Sequence, residues 1–118
     1  MAMETTNYKL DPATEAAVRR FLGAIANKYD IAQAIVYGSR ARGDFRPESD
    51  ADVAVILRGP HARFLPTKLA MADAAFDSML DTGILVSPLP VWIDEWEHPE
   101  SYSNPLLLRN IEREGVWV

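Results

Sequence analysis

Two aspartates separated by one residue, Asp50 and Asp52, stand at the start of an apolar run that predicts a strand. Because residues i and i+2 of a strand project from the same face, the two carboxylates converge on one point. Two like charges this close are unfavourable unless a cation lies between them. Oxygen ligands beside phosphate groups favour Mg²⁺, which uses one or two carboxylates plus substrate oxygens. The alternative is that Asp50 caps a turn and Asp52 is merely exposed.

A second candidate segment lies upstream, where Gly38-Ser39 directly follows another predicted strand. A short helix beginning with Arg40-Ala41-Arg42 would present free backbone N–H groups and a positive dipole end, which suit a phosphate. Gly38 lacks the Cβ that would block close approach of the backbone, and Ser39 adds a hydroxyl donor. Arg40, Arg42 and Arg46 add positive charge. The alternative is a Gly-Ser turn with surface arginines.

The segments that must position these residues alternate between strand and helix patterns. Short apolar runs predict strands at 31–37, 51–57 and 84–93, and the prolines in the third suggest an edge position or a bend. Helices are predicted from the cap pairs Asp11-Pro12 and Asn104-Pro105, and over 62–80, where apolar residues recur at helical spacing before Gly83: Leu65, Leu69, Ala72, Phe76 and Met79. The pattern predicts an α/β (α+β) protein with a small mixed sheet of three to four strands and helices packed against it.

Length and composition restrict the possible functions. The chain has 118 residues, enough for one domain, which we place at 11–118 after an expected flexible lead-in over residues 1–10. Its net charge of −5 argues against general nucleic-acid binding and against anionic membranes. The absence of cysteine excludes disulfides, zinc-thiolate sites and thiol nucleophiles. No signal peptide or membrane span is visible, so a cytoplasmic location is expected.

The two candidate segments together form the pattern Gly-Ser-x10-Asp-x-Asp. This pattern resembles the signature of the DNA polymerase β-like nucleotidyltransferases, and specifically their minimal, MNT-type members. The resemblance covers most of the chain, including the order of helices and strands and the ending Ile111 to Val116. It is most specific at seven positions: Gly38, Ser39, Arg42, Gly43, Ser49, Asp50 and Asp52.

The resemblance implies a nucleotidyltransferase fold and a reaction. ATP or another nucleotide would lie against the Gly38-Ser39 turn, with Asp50 and Asp52 binding Mg²⁺ as the catalytic and metal-binding pair. Arg42 would be an additional phosphate contact, while Arg40 and Arg46 are weaker candidates. The acceptor hydroxyl would attack the α-phosphate in line, and pyrophosphate would leave.

The sequence departs from that family at one place. Active members usually supply a third carboxylate from the next strand, but residues 84–93 contain no acid. Asp94 and Glu95 follow directly after this strand and are the nearest candidates to replace it. Without a replacement, the catalytic base and a ligand of the second metal are missing.

Two functions follow from the resemblance. MNT proteins commonly occur with a helical HEPN partner, a ribonuclease toxin, and can act as its antitoxin by modifying a tyrosine on it. The first hypothesis is therefore an enzyme that moves AMP from ATP onto such a hydroxyl. The second is a catalytically degenerate binding module that neutralises or scaffolds its partner by contact. The sequence leaves the acceptor, the preferred base and the formation of a homo-oligomer open.

Overall fold

The computed structural model describes residues 10–118 and contains five helices, one 3₁₀ turn and four strands in that range. In chain order the elements are α1 (Pro12–Ile25), β1 (Ile31–Tyr37), α2 (Ser39–Arg42), β2 (Ala51–Leu57), α3 (Phe64–Thr82), β3 (Val86–Trp92), α4 (Ile93–Glu97), the 3₁₀ turn (Pro99–Ser101), α5 (Pro105–Glu114) and β4 (Val116–Trp117). Within residues 10–118, no helix has the length and apolar character needed to cross a membrane.

The four strands form one mixed sheet in the order β3-β2-β1-β4. β1 is antiparallel to both of its neighbours, while β2 and β3 run parallel. The predicted small mixed sheet with helices against it is therefore confirmed. β3 occupies one edge, as its two prolines predicted, because proline cannot donate a ladder hydrogen bond. A fourth strand was allowed by the prediction of three to four strands, but its position was not predicted, since only two residues pair after Gly115.

Both faces of the sheet are covered by helices, so its central strands are apolar on both sides. On one face, Val53 and Val55 of β2 belong to a buried cluster that includes residues of α1 and α3. On the other face, Ala54 and Ile56 of the same strand belong to a cluster with Leu108 of α5. The alternation of neighbouring residues between two cores explains why β2 reads as one continuous apolar run.

The predicted helix ends are confirmed where the sequence carries cap residues. The Asp11 carboxylate accepts a hydrogen bond from the Thr14 N–H at 3.1 Å, and the Asn104 side chain accepts one from the Leu107 N–H at 3.3 Å. Gly83, with φ of 78°, ends α3 and donates its N–H to the Met79 carbonyl at 2.8 Å. These local contacts satisfy backbone groups that a helix end leaves unpaired.

The long helix α3 departs from the simplest interpretation of its pattern. Its apolar positions recur at helical spacing, but Leu65, Leu69 and Phe76 are exposed over 59%, 57% and 54% of their surface. The side packed against the sheet carries smaller or more polar residues: Thr67, Met71, Ala75 and Ser78. The periodic apolar stripe therefore marks the outer face of α3 rather than the face packed against the core.

The predicted lead-in, residues 1–10, lies outside the described residues except for its last member. Leu10 is partly buried and packs against the larger apolar cluster beneath α1. The packed part of the domain therefore includes residue 10.

Candidate functional site

The turn between β1 and α2 can be made only by glycine. Gly38 has φ of 78° and ψ of −157°, a backbone region essentially restricted to residues without a side chain. A Cβ placed on Gly38 would also overlap the Oδ2 atom of Asp52. Ser39 follows immediately and is the first residue of α2, so the predicted short helix after the glycine is present. The turn thus brings bare backbone against a carboxylate.

Asp50 and Asp52 stand at the end of the sheet where this turn lies. Asp52 is the second residue of β2, is half-buried, and is the register partner of Tyr37 in β1. Asp50 is exposed and comes just before the strand. Burial, and then the nearby charge of Asp50, raise the pKa of the Asp52 carboxyl above its ordinary value. The structure therefore brings the two predicted acids and the Gly38 turn together.

Two cations balance part of this negative charge. Arg42 and Lys68 both act to lower the pKa of Asp52, against the larger effect of burial. The Arg42 guanidinium lies 3.3 Å from the Asp44 carboxylate and 3.9 Å from that of Glu114, and it is half-exposed. It therefore lies beside the site, as predicted, within reach of solvent.

Lys68 is a site residue that the sequence interpretation missed. Its ammonium group donates a hydrogen bond to the Pro88 carbonyl of β3 at 2.8 Å, and its side chain is partly buried. One signal was available, because Lys68 is the only basic residue between Phe64 and Thr82. A single lysine in a largely apolar helix that follows the Asp-x-Asp strand is a candidate for facing those carboxylates.

Arg40 does not face the site, and its assignment as a weaker phosphate contact is wrong. Its side chain is 96% buried and donates hydrogen bonds to the Thr14 hydroxyl at 2.7 Å and to the carbonyls of Ser49 at 2.9 Å and Pro47 at 3.0 Å. Its guanidinium also lies 4.4 Å from the centre of the Phe45 ring. Through these contacts Arg40 holds α2 to α1 and to the loop before β2, and its guanidinium is shielded from solvent.

The contacts of Arg40 have a consequence for the site, because the loop that they hold is the one that delivers Asp50. Ser49, whose carbonyl is bound by Arg40, directly precedes Asp50 in the chain. Arg46, the other weak candidate in this loop, is exposed, and the Arg46 N–H is bonded to the Ser49 hydroxyl at 3.0 Å. Arg40 is thus a positioning residue for the Asp50 side of the site.

Neither candidate for the missing third carboxylate lies at this end of the sheet. Ser87 is the β3 residue in register with Asp52, whereas Trp92 is in register with Leu57 at the far end of β2. Trp92 is five residues farther along β3 than Ser87, a distance of about 17 Å at the usual rise per residue. Asp94 and Glu95 follow Trp92 and therefore lie at the far end.

Both of these acids are engaged in other contacts. The Asp94 carboxylate lies 2.5 Å from the His61 ring, which stacks on Trp92 with ring centres 5.2 Å apart. Glu95 accepts a hydrogen bond from the Trp92 N–H at 3.0 Å and so caps α4. Within residues 10–118, no three acidic or histidine side chains are grouped so that they could hold a metal ion. A cation at Asp50 and Asp52 would complete its coordination with water or substrate oxygens.

A cleft opens between the Gly38 turn and α5. Its walls are formed by backbone and side chains of both elements: Tyr37, Gly38, Arg42, Leu107, Asn110, Ile111 and Glu114. Burial, followed by the charges of Asp52 and Tyr102, raises the pKa of the Tyr37 phenol strongly. Tyr37 therefore stays neutral and contributes a partly apolar wall.

Comparison with known proteins agrees with this arrangement. A family model described as the nucleotidyltransferase domain matches residues 18–118. The chain belongs to this family. Over 92% of its length, the nucleotidyltransferase domain matches 87% of the crystal structure of a "putative nucleotidyltransferase" from Sulfolobus solfataricus, with a TM-score of 0.53 and 18% identity. At that identity the likeness shows the fold alone.

A shorter match connects the nucleotidyltransferase domain to a protein of Methanocaldococcus jannaschii named "putative protein adenylyltransferase". The two sequences are 41% identical over 44 residues, which cover 36% of this chain and 44% of the relative. The match therefore spans less than half of that protein.

Proposed function

We propose that this nucleotidyltransferase domain binds ATP together with Mg²⁺ and moves AMP onto a hydroxyl group of a protein acceptor. The observation that carries the proposal is the contact between Gly38 and Asp52. A turn that only glycine can form lies against a carboxylate, and the second carboxylate, Asp50, stands beside it. Bare backbone next to paired acids is the arrangement that a metal-bound polyphosphate requires.

The donor set fits Mg²⁺. Asp50 raises the pKa of Asp52, so the two carboxylates repel each other and a divalent cation between them would relieve that repulsion. Both are hard oxygen ligands, the sequence contains no cysteine, and His61 lies at the other end of the sheet, stacked on Trp92. Bound there by Asp50, Asp52 and phosphate oxygens, Mg²⁺ would neutralise charge on the nucleotide and lower the pKa of the acceptor hydroxyl.

Each neighbouring residue then has a specific task. Gly38 leaves room for the phosphates at the end of β1, and the Ser39 hydroxyl donates a hydrogen bond to a phosphate oxygen. Arg42 and Lys68 supply positive charge near Asp52. In the reaction, the acceptor oxygen forms a bond to the α-phosphorus and the bond to the departing pyrophosphate breaks. The acceptor proton must pass to a base.

Residues 84–93 contain no acid that could act as the general base. This favours an acceptor protein that supplies the base itself. We propose that the acceptor is a tyrosine of a helical HEPN-type partner, and that the domain acts as its antitoxin. The relative from M. jannaschii is named as an adenylyltransferase acting on protein, which supports a protein hydroxyl over a small-molecule one. Transfer by the isolated chain is expected to be slow or absent.

A second function is favoured by Ser87. This residue occupies the β3 position in register with Asp52, where a third carboxylate would complete the site, and the two candidate replacements, Asp94 and Glu95, follow the other end of the strand. A domain with this defect could retain nucleotide binding and neutralise its partner by contact alone. The two functions differ in whether a covalent bond forms between AMP and a tyrosine of the partner.

Incubation with ATP labelled at the α-phosphate tests the proposal. The protein alone should incorporate little label, and addition of a HEPN-type helical partner should give label on a tyrosine of that partner. The Asp50→Asn/Asp52→Asn variant is the control and should give none. No label with the partner, together with tight partner binding, would support the second function and overturn the first.

A further inference from the structure

Lys68 brings a positive charge to the β3 side of the aspartate site. Its ammonium group donates a hydrogen bond to the Pro88 carbonyl at 2.8 Å. Pro88 follows Ser87, the β3 residue in register with Asp52. Burial raises the pKa of the Asp52 carboxyl, and the charge of Lys68 opposes that rise. The ammonium therefore lies beside the strand position from which a third carboxylate would complete the site.

The contacts of Lys68 leave most of its bonding capacity unused. An ammonium group carries three N–H donors and no acceptor. Among residues 10–118, the Pro88 carbonyl is its one hydrogen-bond acceptor, and no carboxylate forms an ion pair with it. The side chain is partly buried, where a charge attracts an anion more strongly than in open water. Two donors and the charge of Lys68 are therefore available to an anionic ligand.

Nucleotidyl transfer needs positive charge at two places. One cation serves the attacking oxygen and another serves the departing pyrophosphate, and two-metal sites supply a metal ion for each. The pair Asp50 and Asp52 suits a single Mg²⁺ ion. Among residues 10–118, no third acid or histidine is grouped with them to hold another ion. The second positive charge is therefore expected from a side chain.

Arg42 is the other cation that acts on Asp52, and its charge is already engaged. The Arg42 guanidinium lies 3.3 Å from the Asp44 carboxylate and 3.9 Å from the Glu114 carboxylate. The Lys68 ammonium is bound to a neutral carbonyl instead, so a phosphate oxygen that approaches it displaces no carboxylate. A compact ammonium charge is also a common partner of nucleotide phosphates. Lys68 is therefore the stronger candidate for the second cation.

We propose that Lys68 is a catalytic residue that takes the place of a second metal ion and binds a β-phosphate oxygen of ATP. This inference rests on the proposed function. The ammonium neutralises charge on the pyrophosphate as the bond between the α-phosphorus and the bridging oxygen breaks. Asp50 and Asp52 hold a single Mg²⁺ ion, so the nucleotide is bound with one divalent cation.

A count of bound metal ions tests whether one divalent cation suffices. The probes are Mn²⁺, which suits the same oxygen ligands as Mg²⁺, and an ATP analogue with a methylene bridge between the α- and β-phosphorus atoms. The electron paramagnetic resonance signal of free Mn²⁺ gives the number of ions bound. The wild type should bind one Mn²⁺ per bound nucleotide, and Ser87→Asp should bind two. Two ions in the wild type would overturn the proposal.

Calorimetric titration of Lys68 variants with the same analogue and Mg²⁺ tests the lysine itself. Lys68→Gln keeps an N–H donor for the Pro88 carbonyl but loses the charge, and it should lower the nucleotide affinity by roughly ten-fold to a hundred-fold. Lys68→Arg keeps the charge and should retain most of the affinity. Lys28→Gln is the matched control, because it removes the same charge from an exposed position near Trp92, at the other end of the sheet. Its nucleotide affinity should equal that of the wild type.

The results distinguish the role of Lys68 from the proposed function. Nucleotide binding that is lost in Asp50→Asn/Asp52→Asn but unchanged in Lys68→Gln would keep the nucleotide site and reject the role of Lys68, which would then only hold α3 to β3. A wild type without Mg²⁺-dependent nucleotide binding would reject both. Lys68→Gln/Ser87→Asp should recover most of the lost affinity with two bound ions, because the added carboxylate holds the second cation.

Discussion

Gly38 and Asp52 face each other where β1 ends and β2 begins, so closely that a single methyl group on the glycine would overlap the aspartate carboxylate. The antiparallel ladder produces this contact, because it pairs Asp52 with Tyr37, the residue before the glycine. The two parts of the Gly-Ser-x10-Asp-x-Asp pattern are therefore brought together by strand pairing.

Replacing Gly38 by alanine should damage both stability and binding. The backbone conformation at Gly38 is strained for any other residue, and the new methyl group must displace Asp52, so a loss of about 2–4 kcal/mol in unfolding free energy is expected. Urea denaturation measures this loss of unfolding free energy. Binding of ATP with Mg²⁺ should be lost as well.

Gly83→Ala is the matched control for that variant. Gly83 also has φ of 78°, but a Cβ there meets no atom within 4 Å. The cost should be limited to the backbone strain of about 1–2 kcal/mol, with nucleotide binding retained. Equal effects of the two substitutions on binding would show that the contact with Asp52 is unimportant.

Arg40→Ala should destabilise the protein by about 2–4 kcal/mol in urea denaturation. The substitution leaves the buried Thr14 hydroxyl and two loop carbonyls, those of Pro47 and Ser49, without their donor. Arg40→Lys should recover little, because an ammonium group cannot reproduce the guanidinium fork. Arg46→Ala, at an exposed position in the same loop, should change stability by less than about 0.5 kcal/mol. A neutral Arg40→Ala would contradict the positioning role.

The raised pKa of Asp52 predicts a pH dependence of stability. The folded state holds the Asp52 proton more tightly than the unfolded state does. Proton binding therefore stabilises the folded state fully below the ordinary pKa of 3.8, and this stabilisation is lost as pH rises through the raised pKa. Asp52→Asn should therefore stabilise the protein at neutral pH, by up to about 1 kcal/mol given that the group is half exposed. The gain should disappear below the ordinary pKa.

Thermal unfolding between acidic and neutral pH measures this effect. Asp50→Asn should give a smaller gain that acts through Asp52, because Asp50 is exposed and raises the pKa of its neighbour. A stability difference between Asp52→Asn and wild type that grows as pH falls would have the wrong sign for this account.

Ser87 offers a gain-of-function experiment. Ser87→Asp would place a third carboxylate in register with Asp52, on the strand where the two-acid site is incomplete. Mg²⁺ affinity should rise by about ten-fold or more, and label from ATP should appear on acceptors even without the partner. Leu89→Asp, two residues farther along β3, is the control. It should change neither the Mg²⁺ affinity nor the labelling. Unchanged Mg²⁺ affinity would show that Ser87 does not face the site.

Much of this site was predictable from the sequence because its determinants are local. Gly38, Ser39, Asp50 and Asp52 lie at or next to strand ends, and the strands were predicted from short apolar runs. The edge position of β3 was one of the two predicted alternatives, since Pro88 and Pro90 suggested either an edge strand or a bend.

What the sequence did not reveal depends on long-range packing. Arg40 resembles its exposed neighbours Arg42 and Arg46 in the printed sequence, and only the folded loop shows that it is buried against Thr14. The apolar stripe of α3 predicted a helix correctly, but periodicity alone cannot say whether a stripe faces the core or a partner. Lys68 was missed for the same reason, because its neighbour Pro88 is 20 residues away.

Calorimetric titration with ATP, in the presence and absence of Mg²⁺, tests the central claim most directly. Wild-type protein should bind ATP only when Mg²⁺ is present, because the two carboxylates repel the bare triphosphate and need the cation between them. Asp50→Asn/Asp52→Asn, if folded as judged by circular dichroism, should lose the Mg²⁺-dependent binding. Equal affinity of the wild type and the double variant for ATP, with or without Mg²⁺, would contradict the assignment of Asp50 and Asp52 as the metal site.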